Sequence, residues 1–153
     1  MIDFKGKTVL VTGGGSGIGR GIAEAFSDAG ARIVIADIKP ELVAEMRKSL
    51  DRAGVEALVI EGDMTRAADV QALAQRIDNE FRGLDVLVNN VGDFVLSKRF
   101  EEFSDDEISR LYDLNLRHIF SVTRAMLPLL RKRGHGSSIV SISSIEGLRG
   151  APT

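Results

Sequence analysis

The sequence predicts an α/β fold, a doubly wound parallel sheet of about five strands. Three observations carry that prediction. Five short runs are almost continuously Val, Ile and Leu, as strands buried on both faces must be. Amphipathic runs at helical spacing alternate with them, the order that strand–helix–strand crossovers require. Glycines stand where several of those helices should end. Right-handed crossovers then place helices on both faces of the sheet.

Each element has its own justification. Residues 7–12 form the first strand, around Val9, Leu10 and Val11. Residues 17–29 form the first helix, with Ile18, Ile22, Ala25, Phe26 and Ala29 at helical spacing and Gly30 as its cap. Residues 31–37 are a buried-type strand. Pro40 opens a second helix over 41–53, which Gly54 ends. Residues 55–61 are the third strand, 66–81 the third helix and 84–89 the fourth strand. Ser104 N-caps a long helix, with Glu107 completing a capping box. That helix is expected to reach Arg133, with a kink at Pro128. Residues 138–143 are the fifth strand.

Composition narrows the function classes. A length of 153 residues favours one domain spanning 1–153. A net charge of −2 gives no basic field for nucleic acid or an anionic membrane. Arg131, Lys132 and Arg133 read as a helix C-terminus that complements its dipole. No cysteine is present, so disulfide and thiolate chemistry are excluded. No apolar run reaches membrane-span length, and the first residues lack signal-peptide architecture; a cytoplasmic location is expected. His118 reads as a helix-packing residue and His135 as a loop residue, so no metal site is expected.

Ligands on such sheets bind beyond the carboxyl ends of the strands, and polar residues cluster there. Thr12-Gly13-Gly14-Gly15-Ser16-Gly17-Ile18-Gly19 joins the first strand to the first helix. Its pattern is T-G-x-x-x-G-x-G, not the strict G-x-G-x-x-G. Gly13 suits a sharp turn; Gly17 and Gly19 let backbone amides approach a pyrophosphate at a helix N-terminus. Asp37 ends the second strand, where a carboxylate accepts bonds from adenosine ribose hydroxyls and repels a 2′-phosphate. Ser16 brings no Arg to such a phosphate, while Lys39 lies nearby. NAD is therefore expected over NADP. Asp63 follows the third strand; it suits either an adenine contact or a helix cap with Thr65. Asn89, Asn90, Val91 and Gly92 follow the fourth strand, and Asp93-Phe94 beyond them can line a substrate entrance.

With these motifs in place, the chain resembles the classical short-chain dehydrogenase/reductase family over its whole length. Asn89-Asn90-Val91-Gly92 is similar to the family's N-N-A-G, with Val91 for Ala. Asn115-Leu116 resembles the family's helix asparagine, and Ile142-Ser143-Ser144 its fifth-strand serine motif. The resemblance implies a Rossmann-like fold and cofactor contacts at Gly13, Gly15, Ser16, Gly17, Ile18, Gly19, Asp37, Asp63, Met64, Asn90, Val91 and Gly92. It implies an alcohol–carbonyl oxidoreductase in which Ser144 bonds the substrate oxygen and Asn115 supports a proton-relay water. Glu146 either contacts substrate or caps the turn.

The family's Tyr-x-x-x-Lys pair has no counterpart in this sequence. The only tyrosine is Tyr112, and Leu116 stands four positions on. The resemblance places that pair after Ser144 and past Thr153. The chain is thus expected to be a piece of a longer enzyme, truncated after its fifth strand and inactive alone. The resemblance also implies a homo-oligomer, a dimer or tetramer, through the long helix 104–133. That helix carries apolar residues around much of its circumference, from Ile108 to Leu130. A catalytically silent nucleotide-binding or assembly module remains the alternative.

Overall fold

The computed structural model describes residues 3–93 and 98–145. The strands are β1 (Thr8–Thr12), β2 (Arg32–Asp37), β3 (Ala57–Glu61), β4 (Val86–Asn89) and β5 (Ser138–Ser141). The helices are α1 (Gly17–Asp28), α2 (Pro40–Arg52), α3 (Ala67–Phe81), α4 (Asp105–Tyr112) and α5 (His118–Arg133). All strand pairings are parallel, in the order β3-β2-β1-β4-β5. The order reverses between β1 and β4, which opens the crevice where doubly wound sheets bind ligands.

Alternate strand residues feed two cores, because successive side chains point to opposite faces. Leu10, Val34, Leu58 and Leu87 meet α3 and α5 through Val70, Leu73, Ile77, Val122 and Met126. Val9, Val11, Ile33, Ile35 and Val88 meet α1 and α2 through Ala23, Val43, Met46 and Leu50. This two-sided burial explains the near-continuous apolar runs.

β1, β2, β3 and β4 each start one or two residues later than their hydropathy implies, and at β2 and β3 a helix cap is the cause. Ala31 and Val55 are each bound by their N–H to a helix carbonyl, of Phe26 and Leu50. With Gly30 (φ +88°) and Gly54 (φ +68°) they complete Schellman caps, so their side chains pack while their backbones still close a helix.

The expected long helix runs from Asp105 to Arg133 with a π segment inside it. A short 3-10 turn at Phe100–Glu102 precedes it, and Ser104 caps α4 with Glu107 as expected. Residues Asp113–Arg117 then form a π turn before α5. The irregularity falls there, while α5 runs on through Pro128. Asn115 supplies the cause: its Nδ2 donates to the Leu111 carbonyl at 3.1 Å, competing with the backbone ladder. Arg131, Lys132 and Arg133 do occupy the last turn of α5; Lys132 pairs with Asp78 at 2.6 Å and Arg133 donates to the Phe81 carbonyl at 2.6 Å.

β5 is an edge strand with Ile139 and Val140 exposed, and Phe120 on α5 is 66% exposed. Ile18, expected on the apolar stripe of α1, is instead 67% exposed, because it belongs to the first turn beyond the sheet's end. Among the described residues no helix is long and apolar enough to cross a membrane.

Candidate functional site

The carboxyl ends of β1, β2, β4 and β5 surround a cleft of about 850 Å³. Its floor begins at the turn after β1. Gly13 holds φ +64° and Gly17 φ +53°, both in the left-handed region. Gly17 is therefore needed for its backbone angle; nothing lies within 4 Å of where its Cβ would stand. Gly19 is needed for space. A Cβ there would overlap the Gly13 carbonyl oxygen and come within 2.5 Å of Asn90 Nδ2. The close approach expected at Gly19 is thus first an approach of the protein to itself. Ser16 N-caps α1 in extended conformation with no side-chain cap bond, which leaves the helix's first amides and dipole end available.

Asp37 faces this loop from the end of β2. Its Oδ2 accepts the Gly15 N–H at 2.9 Å and its Oδ1 the Lys39 N–H at 3.1 Å. The carboxylate is 8% exposed and lines the cleft. The loop after β4 is bound from the other side. Asn90 Nδ2 donates to the Thr12 and Gly13 carbonyls at 3.0 and 3.1 Å. Thr12 Oγ1 accepts the Asn90 and Val91 N–H groups at 3.0 and 3.3 Å. That buried hydroxyl is a structural partner whose role the sequence motif alone does not reveal. Its signal is a threonine ending one strand beside asparagines ending its neighbour. Asn89 Nδ2 in turn reaches Thr123 Oγ1 at 3.2 Å and Ser141 Oγ at 3.4 Å, joining β4 to α5 and β5.

Asn115 sits in the π turn over the same cleft. Its Oδ1 accepts the Asp93 N–H at 3.0 Å and its Nδ2 donates to the Asp93 carbonyl at 2.9 Å. With the Leu111 bond, both amide protons are committed, and Oδ1 keeps one lone pair. Gly92 fits against it: a Cβ there would lie 3.1 Å from Asn115 Oδ1.

The cleft brings together Gly13, Ser16, Ile18, Gly19, Asp37, Asn90, Val91, Gly92, Asn115 and Ser144. Leu116, Ile119 and Ile142 add apolar wall. Gly15 and Gly17 shape the loop from outside that lining. Asp63 and Met64 also stand apart. Asp63 Oδ1 accepts the Thr65 N–H and Oγ1–H at 2.9 and 2.7 Å, an Asx turn ahead of α3; it does not cap the helix as expected, because α3 begins at Ala67 with Arg66 as its N-cap and no side-chain cap bond. Met64 buries its side chain in the core at 3% exposure, so only its backbone can face a ligand. Phe94 and Glu146 lie outside the described residues.

Sequence and structure comparisons place this architecture. The family description "short chain dehydrogenase" matches residues 7–153. The chain belongs to the short-chain dehydrogenase family. It is 33% identical over 143 residues to 3beta-hydroxysteroid dehydrogenase 2 of Eggerthella lenta, covering 94% of this chain and 55% of that protein. Among solved structures, a short-chain dehydrogenase/reductase from Burkholderia phymatum in complex with NAD superposes with a TM-score of 0.93 at 29% identity. The match covers 100% of this chain and 54% of that one. A short-chain dehydrogenase from Burkholderia cenocepacia in complex with NADP gives 0.89 at 31% identity, covering 97% and 60%. The chain spans about half the length of the curated relatives it matches.

Proposed function

We propose that this chain binds NAD and serves an oxidoreductase that interconverts a small-molecule alcohol and its carbonyl. One observation carries the reading: a buried carboxylate, Asp37, is fixed by the Gly15 amide at the rim of a glycine turn that opens a helix. A neighbour holding NAD and another holding NADP support a nicotinamide cofactor. The preference for NAD rests on this chain's own residues.

The residues present fit the group. The N-cap of α1 makes no side-chain cap bond, and Gly13 and Gly19 bring no side chain to the cleft, so the first N–H groups of α1 can face a pyrophosphate. Each Asp37 oxygen accepts one backbone bond and keeps a lone pair for a ribose hydroxyl. A 2′-phosphate would meet that charge with no Arg in the loop to offset it. Asn90, Val91 and Gly92 border the cleft and would line a bound dinucleotide. A bound nicotinamide supplies the hydride donor or acceptor.

Ser144 stands past the end of β5, lining the cleft, where its hydroxyl can donate to a substrate oxygen. Asn115 holds the Asp93 backbone and offers its remaining Oδ1 lone pair to a water. The substrate acid/base assigned by the family resemblance has no counterpart among residues 1–153, and general acid–base catalysis is worth roughly 10²–10⁴-fold. The chain by itself is therefore expected to bind cofactor without appreciable turnover. Exposed Ile108, Tyr112, Leu116 and Phe120 support an assembly in which the α4–α5 face is covered, and a homo-oligomer is the form we favour.

Calorimetric titration of the chain with NAD+ tests the cofactor reading. Saturable one-site binding is expected. An absence of heat at about 1 mM NAD+, where even a weak site is half-filled, would refute it.

A further inference from the structure

The cleft has two ends. Asp37 borders one from the end of β2, and Ser144 stands past β5 at the other. β1 and β4 lie between those strands, so three spacings of about 4.8 Å put the two ends about 14 Å apart. A nucleotide held at Asp37, the function proposed above on which this inference rests, leaves the β4–β5 side to the substrate.

Formal charge on that side is all of one sign. Among the described residues no Lys, Arg or His lines the cleft, and the one charged side chain besides Asp37 is Asp93. Asp93 and Ser144 follow adjacent strands whose last residues, Asn89 and Ser141, are paired in register. Both therefore leave the sheet at the same level. Asn115 bonds the Asp93 N–H and carbonyl at 3.0 and 2.9 Å, which ties this residue to the cleft by its own backbone.

The wall beside it is hydrocarbon. Leu116 in the π turn is 42% exposed, Ile142 after β5 is 37% exposed, and Ile119 lines the cleft with them. Covering such surface favours binding. A carboxylate or phosphate in the same place would give up its water, meet a like charge and find no cation.

We propose that the substrate end of the cleft selects an uncharged alcohol or ketone with a largely hydrocarbon body, and that Asp93 turns away substrates bearing a carboxylate or phosphate. The substrate oxygen reaches the Ser144 hydroxyl while the body lies on Leu116, Ile119 and Ile142. Asp93 sets specificity and takes no part in the proton or hydride steps.

The chain saturated with NADH is titrated with four small ketones, read by saturation-transfer NMR: cyclohexanone, dihydroxyacetone, levulinate and levulinamide. Cyclohexanone should bind more tightly than dihydroxyacetone, which offers little hydrocarbon. Levulinamide should bind about fivefold or more tightly than levulinate, its charged counterpart, the scale of two like charges about 4 Å apart in water. Asp93→Asn keeps the backbone bonds to Asn115 and should abolish that difference. About 1 M salt should shrink it in the unsubstituted chain, since the screening length falls to about 3 Å; the charge is thereby read even where the variant does not fold. Levulinate binding as tightly as levulinamide, a difference that survives Asp93→Asn or salt, or dihydroxyacetone matching cyclohexanone overturns the inference and leaves the cofactor reading standing. So does an NADH-loaded chain that binds none of the four. A chain that binds no NADH overturns both.

Discussion

Asp37 Oδ2 accepts the Gly15 N–H at 2.9 Å, fastening the end of β2 to the glycine turn after β1. The two positions are matched: a Cβ at Gly15 would lie 2.7 Å from that same oxygen. The carboxylate is thereby held in one orientation before any ligand arrives, and little ordering cost remains for binding.

Asp37→Ala is expected to weaken NADH binding about tenfold or more, since hydrogen bonds to a charged group contribute roughly 1.5–3 kcal/mol. NADPH should lose nothing, or gain. Fluorescence titrations with both cofactors check this, and an unchanged NADH to NADPH ratio counts against the ribose role. The same variant leaves the Gly15 and Lys39 amides without their acceptor, so a lower melting temperature should accompany it.

Gly19→Ala and Gly21→Ala, two residues apart on one helix, should move stability in opposite directions. At Gly19 the added methyl meets the Gly13 carbonyl and Asn90 Nδ2, and overpacking of this kind costs about 1–3 kcal/mol. At Gly21 no atom lies within 4 Å. There alanine should stabilise α1 by about 0.5–1 kcal/mol through backbone entropy. Urea denaturation of both variants reads the difference; a stable Gly19→Ala would mean that the turn does not pack as described.

Asp85 anchors the opposite end of the sheet. Its Oδ2 accepts the Thr8 N–H at 2.9 Å, Lys7 Nζ lies 3.1 Å from its Oδ1, and the Arg133 guanidinium is 3.5 Å away. The carboxylate is buried while Lys7 is half-exposed. Asp85→Ala should cost about 1–3 kcal/mol, the range for a buried N–H, here that of Thr8, left without its acceptor, since Lys7 can turn to water. Cofactor binding by the folded fraction should be unchanged, because the residue is at the far end of the strands from the cleft.

Glu107 gives a pH-dependent signal. Its bond to Lys98, with help from the Ser104 N–H, lowers its carboxyl from the ordinary 4.5 to about 2. A lowered carboxylate contributes stability that is fully present above the ordinary value and is lost as pH falls from there through the lowered one. The Glu107 carboxyl resonance should therefore titrate near 2, and Lys98→Ala should raise that midpoint toward 4.5. A wild-type midpoint at 4.5 would show that the Lys98 pair does not persist in solution.

Much of this was legible in the sequence, and the departures have physical causes. Apolar runs located every strand, but Ala31 and Val55 are apolar for capping as well as for strand burial, so hydropathy began β2 and β3 early. The π turn is invisible to periodicity because Leu111, Leu114 and Leu116 keep an apolar pattern across it. What makes it is a single side-chain bond from Asn115 to the Leu111 carbonyl. Ile18 satisfied helical spacing yet faces the cleft, since the spacing does not say where the sheet ends. The glycine turn, Asp37, Asn90 and Ser144 were nameable because each follows a strand. The Thr12 hydroxyl was not, because its two N–H donors come from the loop after β4, 78 and 79 residues away.

The ratio of the chain's affinities for NADH and NADPH bears most directly on the dinucleotide site and on Asp37. With the carboxylate fixed by Gly15 and no Arg in the turn, like-charge repulsion of several kcal/mol should hold NADPH at least about tenfold weaker than NADH. Equal affinities, or tighter binding of NADPH, would contradict the assignment.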